Sequence, residues 1–411
     1  MCISIIPTLA IDEVVDDLGK IAIIGSDYNV YTYNFTEETA TQLTTDATIT
    51  NRYQWTTWST DGRLAFFCCE NNALGQAYIS SDGEAQPQLA YENAGTFILY
   101  AYWSPADCGT DCRELAMLVN SAEGLSVDVL VDDDTSTSSV IATGAPFYYH
   151  WDSTGTQMIF HRSNSQLDIY NRAQDDISQT LQSSSGQFQA PVWSPIDDRI
   201  LVGLQGSERG LTNLATINAN DVTVLVEDLS GFLSFLWSPD GQYIAYRTID
   251  QFGSSGVNVI DANTGQTVTI ADSAGVLGFF WSPDSRKIAY LSIDLDESSS
   301  ASAASEQRIN QSFIQNDSPT RITWQVLDIE AQTNISYSSF IPTFEFLYLV
   351  TYFDQFSPSH RVWSPDSRYL VFAGGIENGQ TQPEIYTVDT ENLDATFNRI
   401  AEGVFGVWSF E

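Results

Sequence analysis

The chain has 411 residues, of which 43% are hydrophobic and 12% aromatic, with ten Trp and nineteen Tyr. That is ample material for a large core, and it excludes a disordered chain. Asp and Glu total 53 against 16 Lys and Arg, a formal charge of −37, which excludes nucleic acid and acidic membrane surfaces as partners because such a surface repels phosphates.

The first ten residues, MCISIIPTLA, form a short apolar run without a basic flank. Residues 1–16 therefore read either as the remnant of a signal or membrane anchor, with Pro7-Thr8-Leu9-Ala10 resembling a small-residue cleavage site, or as a disordered start. No stretch reaches the ~18–20 apolar residues needed to span a bilayer. Next come three strand-like runs, Gly19–Gly25, Asn29–Tyr33 and Thr41–Thr44, with no Trp-ended run before them.

From here a repeat governs the chain. Trp58, Trp103, Trp151, Trp193, Trp237, Trp281, Trp363 and Trp408 recur every 42–48 residues, except for one gap about twice as long. The unit is clearest at Trp237. Leu233–Trp237 is an apolar strand, and Ser-Pro-Asp-Gly makes a tight turn. Tyr243–Thr248, Val257–Asp261 and Thr267–Ala271 follow as three more strands. Ser285 and Ser367 stand where this turn has Gly241, and the turns there are expected to differ in type. Four short antiparallel strands per repeat predict an all-β, eight-bladed β-propeller, with seven blades as the fallback. Each Trp, at the end of an inner strand, is expected to wedge between blades, contributing on the order of 4–6 kcal/mol of apolar burial before entropy.

The long gap after Trp281 holds two insertions rather than a blade. A Ser/Ala-rich stretch at 294–317 precedes Trp324–Glu330, which aligns as a third strand, and a second stretch at 342–359 precedes Trp363. The final run, Gly403–Phe410, is an inner strand with no partner after it. It is expected to pair with Gly19–Gly25, making residues 17–411 one propeller closed by its own termini.

The unit W-S-P-D-G-x-x-I-A-Y followed by V-x-V-x-D resembles the TolB-type propeller repeat, most closely at Trp237–Tyr246, Trp281–Tyr290 and Trp363–Phe372. It is similar in style to WD repeats but lacks their Gly-His and Trp-Asp signatures. The resemblance implies fold and leaves function open, because similar propellers serve as envelope scaffolds, peptidase gates and lyases.

Candidate chemistry is sparse. His150, His161 and His360 fall at different radial depths of different blades, so packed or surface histidines are expected rather than a metal site. Asp132-Asp133-Asp134 could hold Ca2+ but lacks the alternating ligands of a dedicated loop, and reads as a solvated turn. No cofactor is expected. Gly253-Ser-Ser-Gly256 has the wrong spacing for a hydrolase elbow. Cys108 and Cys112 interrupt the Trp103 turn as a small disulfide-closed loop, suited to an oxidising compartment. Cys68 and Cys69 are consecutive on a strand and should face opposite sides, as buried small hydrophobes.

Loops joining strands 2 to 3, and strand 4 to the next blade, open on one face, which places both insertions there. The second carries Phe344, Phe346, Tyr348, Tyr352, Phe353 and Phe356. With Trp55, Tyr100, Tyr148 and His360 near the channel mouth, they form a candidate partner-binding surface, or a hydrophobic flap over the blade's own edge. The expected protein is a monomeric, extracytoplasmic (periplasmic, secreted or anchored), non-enzymatic scaffold that binds a protein or peptide. The alternatives are a propeller lyase or glycan-active enzyme working at the channel mouth, and a regulatory propeller partnering a separate catalytic chain.

Overall fold

The computed structural model describes residues 18–411 apart from 70–72, 134–135, 146, 164–165, 182–184, 220, 251–252, 272–274, 294–319, 378–381 and 393. The N-terminal segment 1–16, the insertion 294–317 and Asp134 therefore lie outside the described residues.

The repeat folds as its pattern demands. In the Trp237 unit the strands are Phe232–Trp237, Tyr243–Asp250, Val257–Asp261 and Thr267–Ala271, paired antiparallel in sequence order. Inner strands such as Val276–Trp281 are buried at every position, whereas the outer strand Asp221–Ser230 is exposed or half-buried throughout. A strand with neighbouring sheets on both faces must be apolar on both, and this one reads VLGFFW. The register shifts between the third and fourth strands in several repeats, at Ala77/Tyr78, Ile169/Tyr170, Val259/Ile260 and Ile385/Tyr386. Such bulges sharpen the local twist of the outer hairpin.

The described strands assemble into seven sheets, five of them four-stranded. In one, Lys20–Ile24 pairs with Val30–Asn34 on one side and with Phe405–Trp408 on the other, with Ile21 opposite Trp408 and Ile24 opposite Phe405. The last sheet has seven strands, because the end of Thr333–Pro342 pairs with Gly374 and Gly375 of the following repeat. The inner strand before Trp363 is reduced to bridges from Arg361 to Trp408 and from Trp363 to Leu370.

Tryptophans tie successive repeats together. The indole Nε1 of Trp103, Trp151, Trp237 and Trp363 donates to the carbonyls of Thr57, Tyr102, Val192 and Phe280 at 3.0–3.2 Å.

The turns after these tryptophans repeat one hydrogen-bond set. Ser238 donates to Asp240 at 2.6 Å and accepts from the Tyr243 amide at 2.9 Å; Ser282 does the same with Asp284 and Lys287. The expected change of turn type at Ser285 and Ser367 does not occur. Both have φ of 63°, beside 68° at Gly241. Their hydroxyls accept from the amides of Asp240 and Asp284 in the preceding turns at 3.0 Å, which offsets the cost of a left-handed serine. Gly241 could not do this, because its Cβ would lie 2.5 Å from Ile196.

Cysteine placement corrects one reading and refines another. Cys68 and Cys69 are joined as a vicinal disulfide. Cys68 ends the strand Leu64–Cys68, and Cys69 leaves it at φ 77°, so the alternation of a regular strand no longer separates the two side chains. Cys108 and Cys112 are also bonded, their Cα atoms 5.1 Å apart. They close the exposed tip, Gly109–Asp111, of a long hairpin, Thr96–Gly109 with Cys112–Ser121.

Candidate functional site

The insertion at 342–359 folds into two helices, α1 (Phe344–Thr351) and α2 (Phe353–Phe356). Thr343 caps α1, its hydroxyl accepting from the Phe346 amide at 3.2 Å while donating to Val404 O at 2.6 Å. Glu345 sits in the first turn, where the helix dipole favours an acid. Phe346, Leu349, Val350, Phe353 and Phe356 are all buried. Their spacing of three and four is the helical signal the sequence carried.

These residues pack the insertion against inner strands of several repeats. Phe353 packs on Phe279 with ring centres 4.5 Å apart, beneath the Arg247 guanidinium at 5.0 Å. Phe356 meets Trp55 and Tyr100 at 5.6 and 5.0 Å. Thr57 donates to the Ser359 carbonyl at 2.9 Å, and Gln355 reaches Tyr149 O at 3.5 Å. The segment thus touches the inner strands ending in Trp58, Trp103, Trp151, Trp281 and Trp408, and forms a plug over their starts.

This division reorganises the ten candidate surface residues. Phe346, Phe353, Phe356, Tyr100 and His360 are buried and hold the plug in place. Phe344 is 75% exposed, and Trp55, Tyr348, Tyr352 and Tyr148 are half-buried. Trp55, Phe344 and Tyr348 line a cleft of about 350 Å³ on the plugged face, with Tyr28, Arg52, Glu345 and Phe405. Tyr148 stacks on Phe188 at 4.7 Å and lies outside this cleft. Trp55 reaches it through a bulge that puts its own backbone at φ 52°, a conformation rare for a bulky residue.

Arg52 and Glu345 escaped the sequence reading, since each is an isolated charge in an unremarkable context. Arg52 lies over the Tyr28 ring at 4.1 Å. Burial pushes the Glu345 carboxyl up, with the Arg52 charge opposing.

At the Trp-bearing ends of the inner strands, a cavity of about 390 Å³ is lined by Trp151, Trp193, Trp237, Trp281 and Trp363, together with Tyr102, His150 and Arg361. Burial lowers the pKa of His150 to about 4 and of His360 to about 3, so both are neutral at pH 7. His161 is buried with Nδ1 3.0 Å from the Gln189 carbonyl. Among the described residues no three His, Cys, Asp or Glu side chains gather as metal ligands, and no helix is long and apolar enough to cross a membrane.

No family model matches the chain, and no curated protein matches it. Its structure is similar to the crystal structure of a eukaryotic initiation factor, with a TM-score of 0.52 at 14% identity over 94% of this chain and 85% of that one. It is similar to a prolyl endopeptidase structure with a TM-score of 0.51 at 11% identity, over 88% of this chain but 51% of that one, so the chain spans about half of that structure. TolB from Acinetobacter baumannii also appears among the similar structures, with a TM-score of 0.39, 13% identity, and coverage of 86% and 79%. What the chain has in common with the first two is fold alone, an all-β propeller of antiparallel sheets, most of them four-stranded.

Proposed function

We propose that this chain is an eight-bladed ring acting as a non-enzymatic, extracytoplasmic scaffold that binds a protein or peptide segment in the cleft on its plugged face. The observation that carries the reading is Phe344, 75% exposed at the rim of an aromatic cleft whose floor is packed solid. Phe344 does not stand alone, since its ring lies 6.4 Å from Tyr348, itself 5.1 Å from Trp55, and a contiguous apolar patch of this kind marks an interaction surface. The occupant that suits the cleft is an extended segment presenting one apolar side chain between Trp55, Phe344 and Tyr348, flanked by the opposite charges of Arg52 and Glu345. Two disulfides favour an oxidising compartment.

Closure into a ring is supported by the pairing of Lys20–Ile24 with Phe405–Trp408, reinforced by Ser409 N donating to Lys20 O at 2.8 Å. Truncation before Phe405 should expose that strand edge and abolish cooperative unfolding. For the binding reading, the full chain and a Phe344→Ser variant are panned against a random 12-residue peptide library. Enriched peptides sharing an apolar position, and their loss on Phe344→Ser with unchanged thermal stability, support it. Failure of the full chain to enrich any peptide family sinks it.

A further inference from the structure

The cavity at the Trp-bearing strand ends holds a charge without a counter-charge. Arg361 lies half-buried where the plug returns to the inner strands, its guanidinium stacked over Phe410 at 3.9 Å. Among the described residues no carboxylate lies within 4.0 Å of it, and it donates no hydrogen bond to the protein, although acidic side chains outnumber basic ones more than threefold. It is the one Lys or Arg among the described residues lining the 390 Å³ cavity. Burial lowers its pKa to about 10, which leaves it charged at neutral pH. A half-buried guanidinium that lines a cavity and has no protein acceptor is free to pair with an anion entering there.

Two neutral donors share its wall. Tyr102 and His150 lie side by side with ring centres 5.4 Å apart. Burial pushes the Tyr102 phenol up, so it stays protonated as a donor. The His150 Nδ1 accepts from the Trp193 amide at 3.4 Å, which assigns the proton of the neutral ring to Nε2. Asp152, the one acid among the described lining residues, has its oxygens taken by the Thr156 and Gln157 amides and the Thr154 hydroxyl at 2.6–2.9 Å, though its charge still reaches His150. Around these groups stand tryptophan edges and Pro105, Pro195, Pro239, Pro283 and Pro358.

We propose that this cavity is a binding site for an organic carboxylate carrying an apolar body, with Arg361 pairing the carboxylate, Tyr102 and His150 as auxiliary donors, and the indole and proline walls covering the apolar part. Arginine matches the planar, two-oxygen geometry of a carboxylate, and the aromatic enclosure strengthens the pairing by excluding water. The protein's negative charge opposes an anion at long range, but that field is screened beyond ~10 Å at 0.1 M salt, leaving the local guanidinium to decide. The same chemistry has two sources, a free small acid or the C-terminus of a peptide.

The experiment is calorimetric titration of the full chain, with tryptophan fluorescence as a second readout. The probes are phenylacetate, a tetrapeptide ending in a free Phe carboxylate, the same peptide amidated, and inorganic phosphate. Binding of phenylacetate or the free-acid peptide, with at least tenfold weaker binding of the amide, is expected, and which acid binds tighter identifies the source. Arg361→Gln should weaken the acid at least tenfold, Arg361→Lys should restore part of it, and Tyr102→Phe should weaken it severalfold, so a folding failure of one variant leaves the others to decide. Equal binding of acid and amide, affinity unchanged in Arg361→Gln, binding of phosphate alone, or no binding of any probe would overturn the site.

Discussion

The indole of Trp103 donates to the main-chain carbonyl of Thr57 at 3.1 Å, and Thr57 immediately precedes Trp58, the equivalent tryptophan one repeat earlier. The tryptophan that ends one inner strand is thereby fastened to the end of the preceding one, and Trp151, Trp237 and Trp363 repeat the link. Replacing Trp103 by Phe retains an aromatic wedge but leaves the Thr57 carbonyl without its donor. A loss of about 1–3 kcal/mol is expected by denaturant unfolding. Trp58, whose Nε1 has no acceptor, should lose less than Trp103 on the same change.

Ser285 separates two effects in one position. Ser285→Gly relieves the left-handed backbone but forfeits the bond from the Asp240 amide, so the net change should be small, within ~1 kcal/mol. Ser285→Ala keeps the strain and loses the bond, and should cost ~1–2 kcal/mol. The ranking, read from denaturant midpoints, is the check; alanine at or above glycine would refute it.

The plug predicts opposite outcomes for two phenylalanines of one segment. Phe353 is fully buried, so Phe353→Ala should cost about 3–5 kcal/mol. Phe344→Ala should stay within ~0.5 kcal/mol, because the side chain is mostly in water. Comparable losses at both would mean that the helices do not sit as described.

The two disulfides fix a thiol count. Of five cysteines only Cys2 is left unbonded by them, so the denatured, unreduced chain should titrate one thiol and the reduced chain five. Three thiols before reduction would mean that one of the bonds does not form; Cys68 and Cys69 are the pair to locate by peptide mapping.

Mild acid should cost the fold stability through two buried histidines. Burial holds His150 and His360 below the ordinary histidine value of 6.5, at about 4 and about 3. A group with a depressed folded pKa contributes stability that is complete above 6.5 and is lost as pH falls toward the folded value, since the unfolded chain takes the proton first. Asp27, Asp61 and Asp389, lowered from 3.8, add a loss in the same direction only below that pH, whereas Glu114 and Glu345, raised by burial, act oppositely. Between pH 6.5 and 4 the histidine loss is therefore partly offset by these two glutamates, and the histidine part is what removing one histidine takes away. His360→Gln should flatten the slope in unfolding measurements at stepped pH, and an unchanged slope would remove these histidines as its source.

Much of this molecule is local in origin, and so was legible in the chain. Each repeat carries its own strand alternation, turn residues and terminal tryptophan, so Phe232–Trp237 or Val257–Asp261 can be placed from a few neighbours. The unpartnered runs at the two ends even indicate which strands meet, since Ile21–Ile24 and Phe405–Trp408 each lack one neighbour. Tertiary structure decided whatever depended on groups distant in sequence. The aromatic content of 342–359 is plain to read, but whether it faces water or the channel rests on Phe279, Tyr100 and Trp55, contributed by three other repeats. The isolation of Arg361 is likewise invisible in a chain so rich in acids, because a missing counter-charge is a property of a place in space and not of a stretch of sequence.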